Sequence, residues 1–274
     1  MISVPEITLE RIAVATDPAC DLVALARKAV TELPKTDFGG VIAATFSSPD
    51  RFPSLAVQAA SWLGLPAETP AFDLQMACSA YPYAVYLAGK LAADTGKKVL
   101  VIDGDVQTPL VDKADHATGA IFSDAVTATI VSADSAARSS FAFLSRHDPA
   151  LSCPAAGPIR MDGFKVFTFV ATEVSAFLRD FVRTVTDPNT QTPKHPNSCP
   201  FDFFVPHQAN PYMIRQLADA LGLKEQLVTL DESVKNPGSC SVPMAIAKAG
   251  IRGRALIAGF GAGYSAAAGI VNVL

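Results

Sequence analysis

The chain has 274 residues, half of them hydrophobic and 18% charged. That composition supports one or two packed domains and excludes a disordered chain. With 22 basic against 26 acidic residues the net charge is −4, so the clustered cationic surface that nucleic acid demands is not expected. No apolar run reaches the roughly 18 residues of a membrane-spanning helix. The N-terminal MISVPEITLER lacks a basic stretch followed by an apolar one, so no secretory signal is read there. Cys20, Cys78, Cys153, Cys199 and Cys240 show no C-x-x-C spacing. They fit reduced thiols in a cytoplasmic protein, with no metal site and no cofactor expected.

In chain order, helical spacing marks residues 20–33, and GGVIAATF at 39–46 reads as a buried strand. Residues 53–65 open on a proline and stop at Gly64, which predicts a helix. A strand at 70–77, a helix at 79–93 and a strand at 97–103 follow. Residues 120–131 read as a strand pair and 164–186 as one long amphipathic helix. The proline-rich 187–200 reads as a loop or insertion. GRALIAGFGAGYSAAAGIVNVL reads as two buried strands joined by a turn. Strands apolar on both faces between helices imply a mostly parallel sheet covered on both sides.

An internal repeat is visible. Trp62-Leu63-Gly64-Leu65 lies over Ala220-Leu221-Gly222-Leu223 at an offset of 158 residues (64 to 222), which also carries Pro49 onto His207 and Cys78 onto Asn236. Two related α/β halves are expected, residues 1–135 and 136–274, with their equivalent loops meeting. Cys78 begins a helix, where the dipole and unpaired N–H groups favour a nucleophilic thiolate. As a buried small hydrophobe it has a plainer role open to it. His207, in FVPHQANP, sits at the end of a strand, where it can donate to a developing oxyanion or serve as a core histidine. Asn236 precedes Pro237-Gly238 and reads as a turn asparagine or as an amide donor to a carbonyl. Gly259-Phe260-Gly261-Ala262-Gly263 reads as a tight turn bringing backbone N–H close to substrate. His116, His147 and His195 read as solvated, and Asp103-Gly104-Asp105 as a turn.

Taken together, RFPSLAVQAASWLGL, AFDLQMACSAYPYAVYLA, GAIFSDAVTATIV, MDGFKVFTFVATEV, FVPHQAN, NPGSCSVPMAIAKAG and GFGAGYSAAAGIV resemble the β-ketoacyl-acyl-carrier-protein synthase III family in order and approximate spacing, from about Arg11 onward. The resemblance implies a thiolase-like α/β fold layered α-β-α-β-α. It implies a Cys78–His207–Asn236 triad that accepts an acyl group on Cys78 and carries out decarboxylative Claisen condensation. It assigns the oxyanion-hole N–H groups to Cys78 and Ala262, with Gly261 and Gly263 beside the substrate. The family usually has glycine where Ala262 stands.

The implied substrates are an acyl-CoA or acyl-carrier-protein donor and malonyl-acyl-carrier protein. The implied assembly is a homodimer in which Phe52 lines the neighbour's acyl pocket. The family carries a longer N-terminus with a first strand and a CoA-binding segment. Pro211-Tyr212 stands where Arg is common, TPKHPNSCP looks inserted, and IFSDAVTA replaces a glycine-richer stretch. The alternatives left open are an acyltransferase forming an ester, amide or thioester, and a subunit paired with another condensing enzyme.

Overall fold

Strands with two apolar faces need cover on both, and the computed structural model, which describes residues 1–112, 114–187 and 200–274, supplies it in five layers. The elements are β1 (Ile2–Ala15), α1 (Leu22–Thr31), β2 (Phe38–Ala44), α2 (Leu55–Trp62), β3 (Ala71–Leu74), α3 (Ala80–Thr95) and β4 (Lys98–Asp105). Next come α4 (His116–Gly119), β5 (Ala125–Ser145), β6 (Leu151–Ser152), β7 (Arg160–Met161), α5 (Gly163–Phe169) and α6 (Ser175–Thr186). The chain closes with β8 (Phe203–Pro206), α7 (Pro211–Leu221), α8 (Ser241–Ala249), β9 (Gly253–Gly261) and β10 (Ser265–Val273).

The strand order is β3-β2-β4-β5-β1-β10-β9-β8, with β5 also pairing β10. Alternate residues of β4 face opposite ways, as the period-two pleat requires. Val99 and Val101 pack on the central helices α3 and α8, while Leu100 and Ile102 pack on the outer helices α1 and α2. β9 repeats the pattern: Ala255 and Ile257 face the central helices, and Leu256 and Ala258 face α6 and α7. The layering is therefore helix, sheet, central helices, sheet, helix, as the α-β-α-β-α expectation has it. The two halves also share an element order. The turn at Gly64 after α2 (φ 63°) matches the one at Gly222 after α7 (φ 69°), and a parallel bridge from Phe204 to Leu227 stands where β3 pairs with β2. β5 runs unbroken through position 135.

Four sequence readings change. The acidic N-terminal stretch, given no element, is the 14-residue strand β1, and it pairs with β5 through two register shifts. Residues 120–131 are not a strand pair: the strand begins at Ala125, and Ile121–Ser123 lie alongside Asn236 instead. The 164–186 helix contains a π segment, Val170–Val174, between α5 and α6. Asp103-Gly104-Asp105 is not a turn but the buried end of β4. Most of the 187–200 loop, with His195 and Cys199, lies outside the described residues.

Candidate active site

The nucleophile candidate is presented by a sharp entry into α3. The chain leaves β3, turns through Ala77 at a left-handed φ of 43°, and places Cys78 in the turn Ala77–Ser79 that leads into the helix. A non-glycine residue held there stores strain, which the surrounding packing must sustain. Cys78 is buried, and β9 lies against it without side chains. A Cβ added at Gly259 would sit 3.0 Å from the Cys78 carbonyl oxygen, and one at Gly261 would sit 3.4 Å from Sγ. Glycine at these positions lets the strand approach the sulfur.

His207 follows β8. Its backbone N–H donates to the Ala258 carbonyl on β9 at 2.7 Å, so one strand backs Cys78 and anchors the histidine. Nδ1 lies 2.9 Å from Ser241 Oγ, which also accepts the Gln208 N–H at 3.0 Å. The Phe260 ring meets the imidazole edge-on at 5.7 Å between centroids. Burial pushes the His207 pKa down to about 4, against a smaller upward pull from the Gly238 backbone. The ring is neutral at physiological pH.

Asn236 is fixed by its backbone and its oxygen. Its N–H donates to Ile121 O at 2.9 Å, its carbonyl accepts from Ser123 N and Gln107 Nε2, and Oδ1 accepts the Gly238 N–H at 2.9 Å. The carboxamide NH2 is what remains to donate. Gly238 thus holds Asn236 and contacts His207, and its turn Gly238–Cys240 packs against the Cys78 turn. β9 thus lies against Cys78 at Gly259 and Gly261 and holds His207 at Ala258, while Asn236 is linked to the Cys78 turn through Gly238–Cys240.

The expected thiolate is corrected. Burial raises the Cys78 pKa to about 11, and nearby Asp105 and Asp103 add to the rise, while the backbone N–H groups of Ala262 and Cys78 oppose it. Dehydration outweighs the helix terminus, so the resting side chain is a thiol. Alkylation by iodoacetamide should therefore accelerate about tenfold per pH unit from pH 7 to pH 9, because only about one thiol in 10⁴ is ionised at pH 7. A rate that levels off near pH 8 would contradict the raised pKa.

A cavity of about 940 Å³ opens beside Cys78. Phe46, Met76, Leu110, Phe122, Leu151 and Ile159 give it apolar walls, Gly263 and Ala262 line it, and exposed Arg51, Arg146 and His147 stand at its edge. Phe52 does not line this cavity and is 84% exposed. Asp105 supports the wall: its Oδ1 accepts from Thr45 Oγ1, Phe46 N, Ser47 N and Ser47 Oγ at 2.7–3.0 Å. Ser241, Gln107 and Asp105 carried no sequence signal, since their partners lie 34, 129 and about 60 residues away. Among the described residues no group of His, Cys, Asp or Glu is placed to hold a metal, and no helix is long and apolar enough to cross a membrane.

Residues 72–148 match the family model of 3-oxoacyl-[acyl-carrier-protein] synthase III, and residues 199–273 match that of its C-terminal part. The chain is 30% identical to the β-ketoacyl-[acyl-carrier-protein] synthase III of Salmonella arizonae over 84% of this chain and 76% of that one. The chain belongs to this family. It is an enzyme of the β-ketoacyl synthase III type, a condensing enzyme with the thiolase fold. The curated relatives it matches are longer: it spans 66% of the one from Rickettsia akari. A 3-oxoacyl-[acyl-carrier-protein] synthase of Burkholderia xenovorans LB400 superposes with a TM-score of 0.84 at 21% identity, covering 99% of this chain and 95% of that one. The synthase III of Pseudomonas aeruginosa PAO1 superposes at 0.79 with 26% identity, covering 94% and 85%.

Proposed function

We propose that this synthase III chain condenses an acyl thioester with malonyl-acyl-carrier protein through Cys78, His207 and Asn236. The observation that carries the reading is a buried thiol beneath two backbone N–H groups, in a turn packed against the Gly238–Cys240 turn, which engages the Asn236 carboxamide oxygen and meets a buried imidazole held neutral.

In the first half-reaction Sγ attacks the thioester carbonyl of an acyl-CoA or acyl-carrier-protein donor. The oxyanion is stabilised by the N–H groups of Cys78 and Ala262. The carrier thiolate leaves and recovers the proton that Cys78 gave up. In the second, malonyl enters and its thioester carbonyl accepts from His207 and Asn236. The C–C bond to the carboxylate breaks, carbon dioxide departs, and the electron pair becomes an enolate. That carbon attacks the acyl-cysteine carbonyl, the C–S bond breaks, and the departing Cys78 thiolate takes a proton from water. A neutral imidazole serves this step, since an imidazolium would protonate the carbanion it is meant to stabilise. With the Ser241 hydroxyl as the donor across its 2.9 Å contact to Nδ1, the ring proton is on Nε2, the tautomer this mechanism requires for donation to the carbonyl.

Residues 1–135 and 136–274 act as two related halves in this reading, and the working unit is a homodimer in which exposed Phe52 reaches the neighbour's acyl cavity. Intact mass measurement after incubation with acyl thioesters tests the first half-reaction, with an acyl adduct on Cys78 expected. Malonyl-acyl-carrier protein should then release carbon dioxide and discharge the adduct. An adduct that transfers to other nucleophiles without carbon dioxide release would replace condensation by simple acyl transfer.

A further inference from the structure

The two N–H groups assigned to the oxyanion belong to turns 184 residues apart in sequence, at Cys78 and Ala262, and a side-chain bond joins those turns. Ser79 Oγ and Ser265 Oγ lie 2.7 Å apart, and both residues are buried. Ser79 Oγ is also 2.9 Å from the Met76 carbonyl, and Ser265 Oγ is 3.1 Å from the Ala262 carbonyl. Two hydroxyls have two protons for these three contacts. If both pointed outward, two oxygens would face each other at 2.7 Å without a proton between them, which is repulsive. One hydroxyl therefore donates to the other, and the hydroxyl that accepts gives its own proton to its flanking carbonyl.

Each turn is strained beside its oxyanion donor. Ala77 precedes Cys78 at φ 43°, and Tyr264 follows Gly263 at φ 61°. Left-handed non-glycine residues persist only where their surroundings hold them. Tyr264 is held on its outer side by stacking on Phe169, with centroids 4.2 Å apart. On the inner side the hydroxyl pair spans from one strained turn to the other.

Resting on the condensing reading above, we propose that Ser79 and Ser265 are positioning residues that set the spacing of the Cys78 and Ala262 N–H groups for the acyl-transfer oxyanion. Their hydroxyls face each other and the turn carbonyls, although Ser265 also borders the cavity beside Cys78. They act through the two turns, so loss of either hydroxyl should remove the whole effect.

The test compares Ser79→Ala, Ser265→Ala and the double variant with the unaltered chain, each checked for an unchanged melting temperature. One readout is the saturating rate of Cys78 acylation by the N-acetylcysteamine thioester of hexanoate, a probe that needs no carrier. The other is alkylation by iodoacetamide, which attacks carbon without forming an oxyanion. Acylation should fall about tenfold in each single variant at nearly constant KM, and by the same factor in the double variant because the pair is one unit. Alkylation should stay within about twofold, and Ser265→Thr, which keeps the hydroxyl, should restore acylation. Unchanged acylation, a parallel fall in alkylation or multiplicative losses would each overturn the proposal. If the unaltered chain is alkylated but never acylated, the condensing reading itself fails, and that result appears before any variant is made.

Discussion

Replacing His207 by Ala should cut carbon dioxide release from malonyl-acyl-carrier protein by about 10³-fold while Cys78 acylation falls less than about tenfold. The split follows from where the ring sits. His207 is nearly inaccessible, anchored to Ala258 and Ser241, and shares the Gly238 turn with Asn236, whereas the N–H groups nearest the sulfur come from Cys78 and Ala262. Enolate charge develops only when carbon dioxide leaves, so a donor aimed at the malonyl carbonyl acts on that step. Removing it leaves Asn236 as a single donor. Stopped-flow acylation and labelled carbon dioxide release, measured on one preparation, separate the two steps. Equal losses in both would move His207 to the acylation step, as the base for Cys78.

The second large effect concerns stability. Asp105→Ala should lower unfolding stability by about 3 kcal/mol or more, since it strands several donors that a buried carboxylate now satisfies. At this chain length that corresponds to a fall in melting temperature of about 6–12 °C. Burial raises the Asp105 pKa to about 6, with the bonds from Thr45, Phe46 and Ser47 opposing the rise, so the side chain is ionised at pH 7. Asp105→Asn keeps an acceptor oxygen at reduced strength and should cost about 1 kcal/mol. Differential scanning calorimetry at pH 7 distinguishes the pair. A melting temperature unchanged in Asp105→Ala would mean that Thr45, Phe46 and Ser47 find other partners.

The same aspartate shows where the sequence stops being legible. The helices and the strands β2, β4 and β9 were readable because their apolar periodicity is local. The carboxylates at 103 and 105 read as a turn because a charge inside a strand is costly on its own. For Asp105 the cost is offset by a distant segment, Thr45 to Ser47; Asp103 meets Ser239 through one oxygen only, and burial pushes its pKa well above the usual carboxylate range. β1 escaped notice because Pro5, Glu6, Glu10 and Arg11 interrupt its alternation, and its register shifts fall between Pro5 and Glu6 and between Leu9 and Arg11. Strand-end context and the repeat raised Cys78, His207 and Asn236 as candidates, and only the family resemblance joined them into a triad. The protonation of Cys78 was misjudged because a helix terminus is visible in a sequence and the depth of burial is not. The Ser79–Ser265 contact, 186 positions apart, left no local trace.

The pairing of β1 with β5 bears on how the polypeptide matures. Ile2 to Ala15 find their antiparallel partners only in residues 126–141, so more than a hundred residues must leave the ribosome before that strand is zipped. Until then its backbone groups offer a ready template to any passing extended segment. Pro5 and the charges at 6, 10 and 11, which obscured the strand in the sequence, are the features that blunt such an edge during that wait.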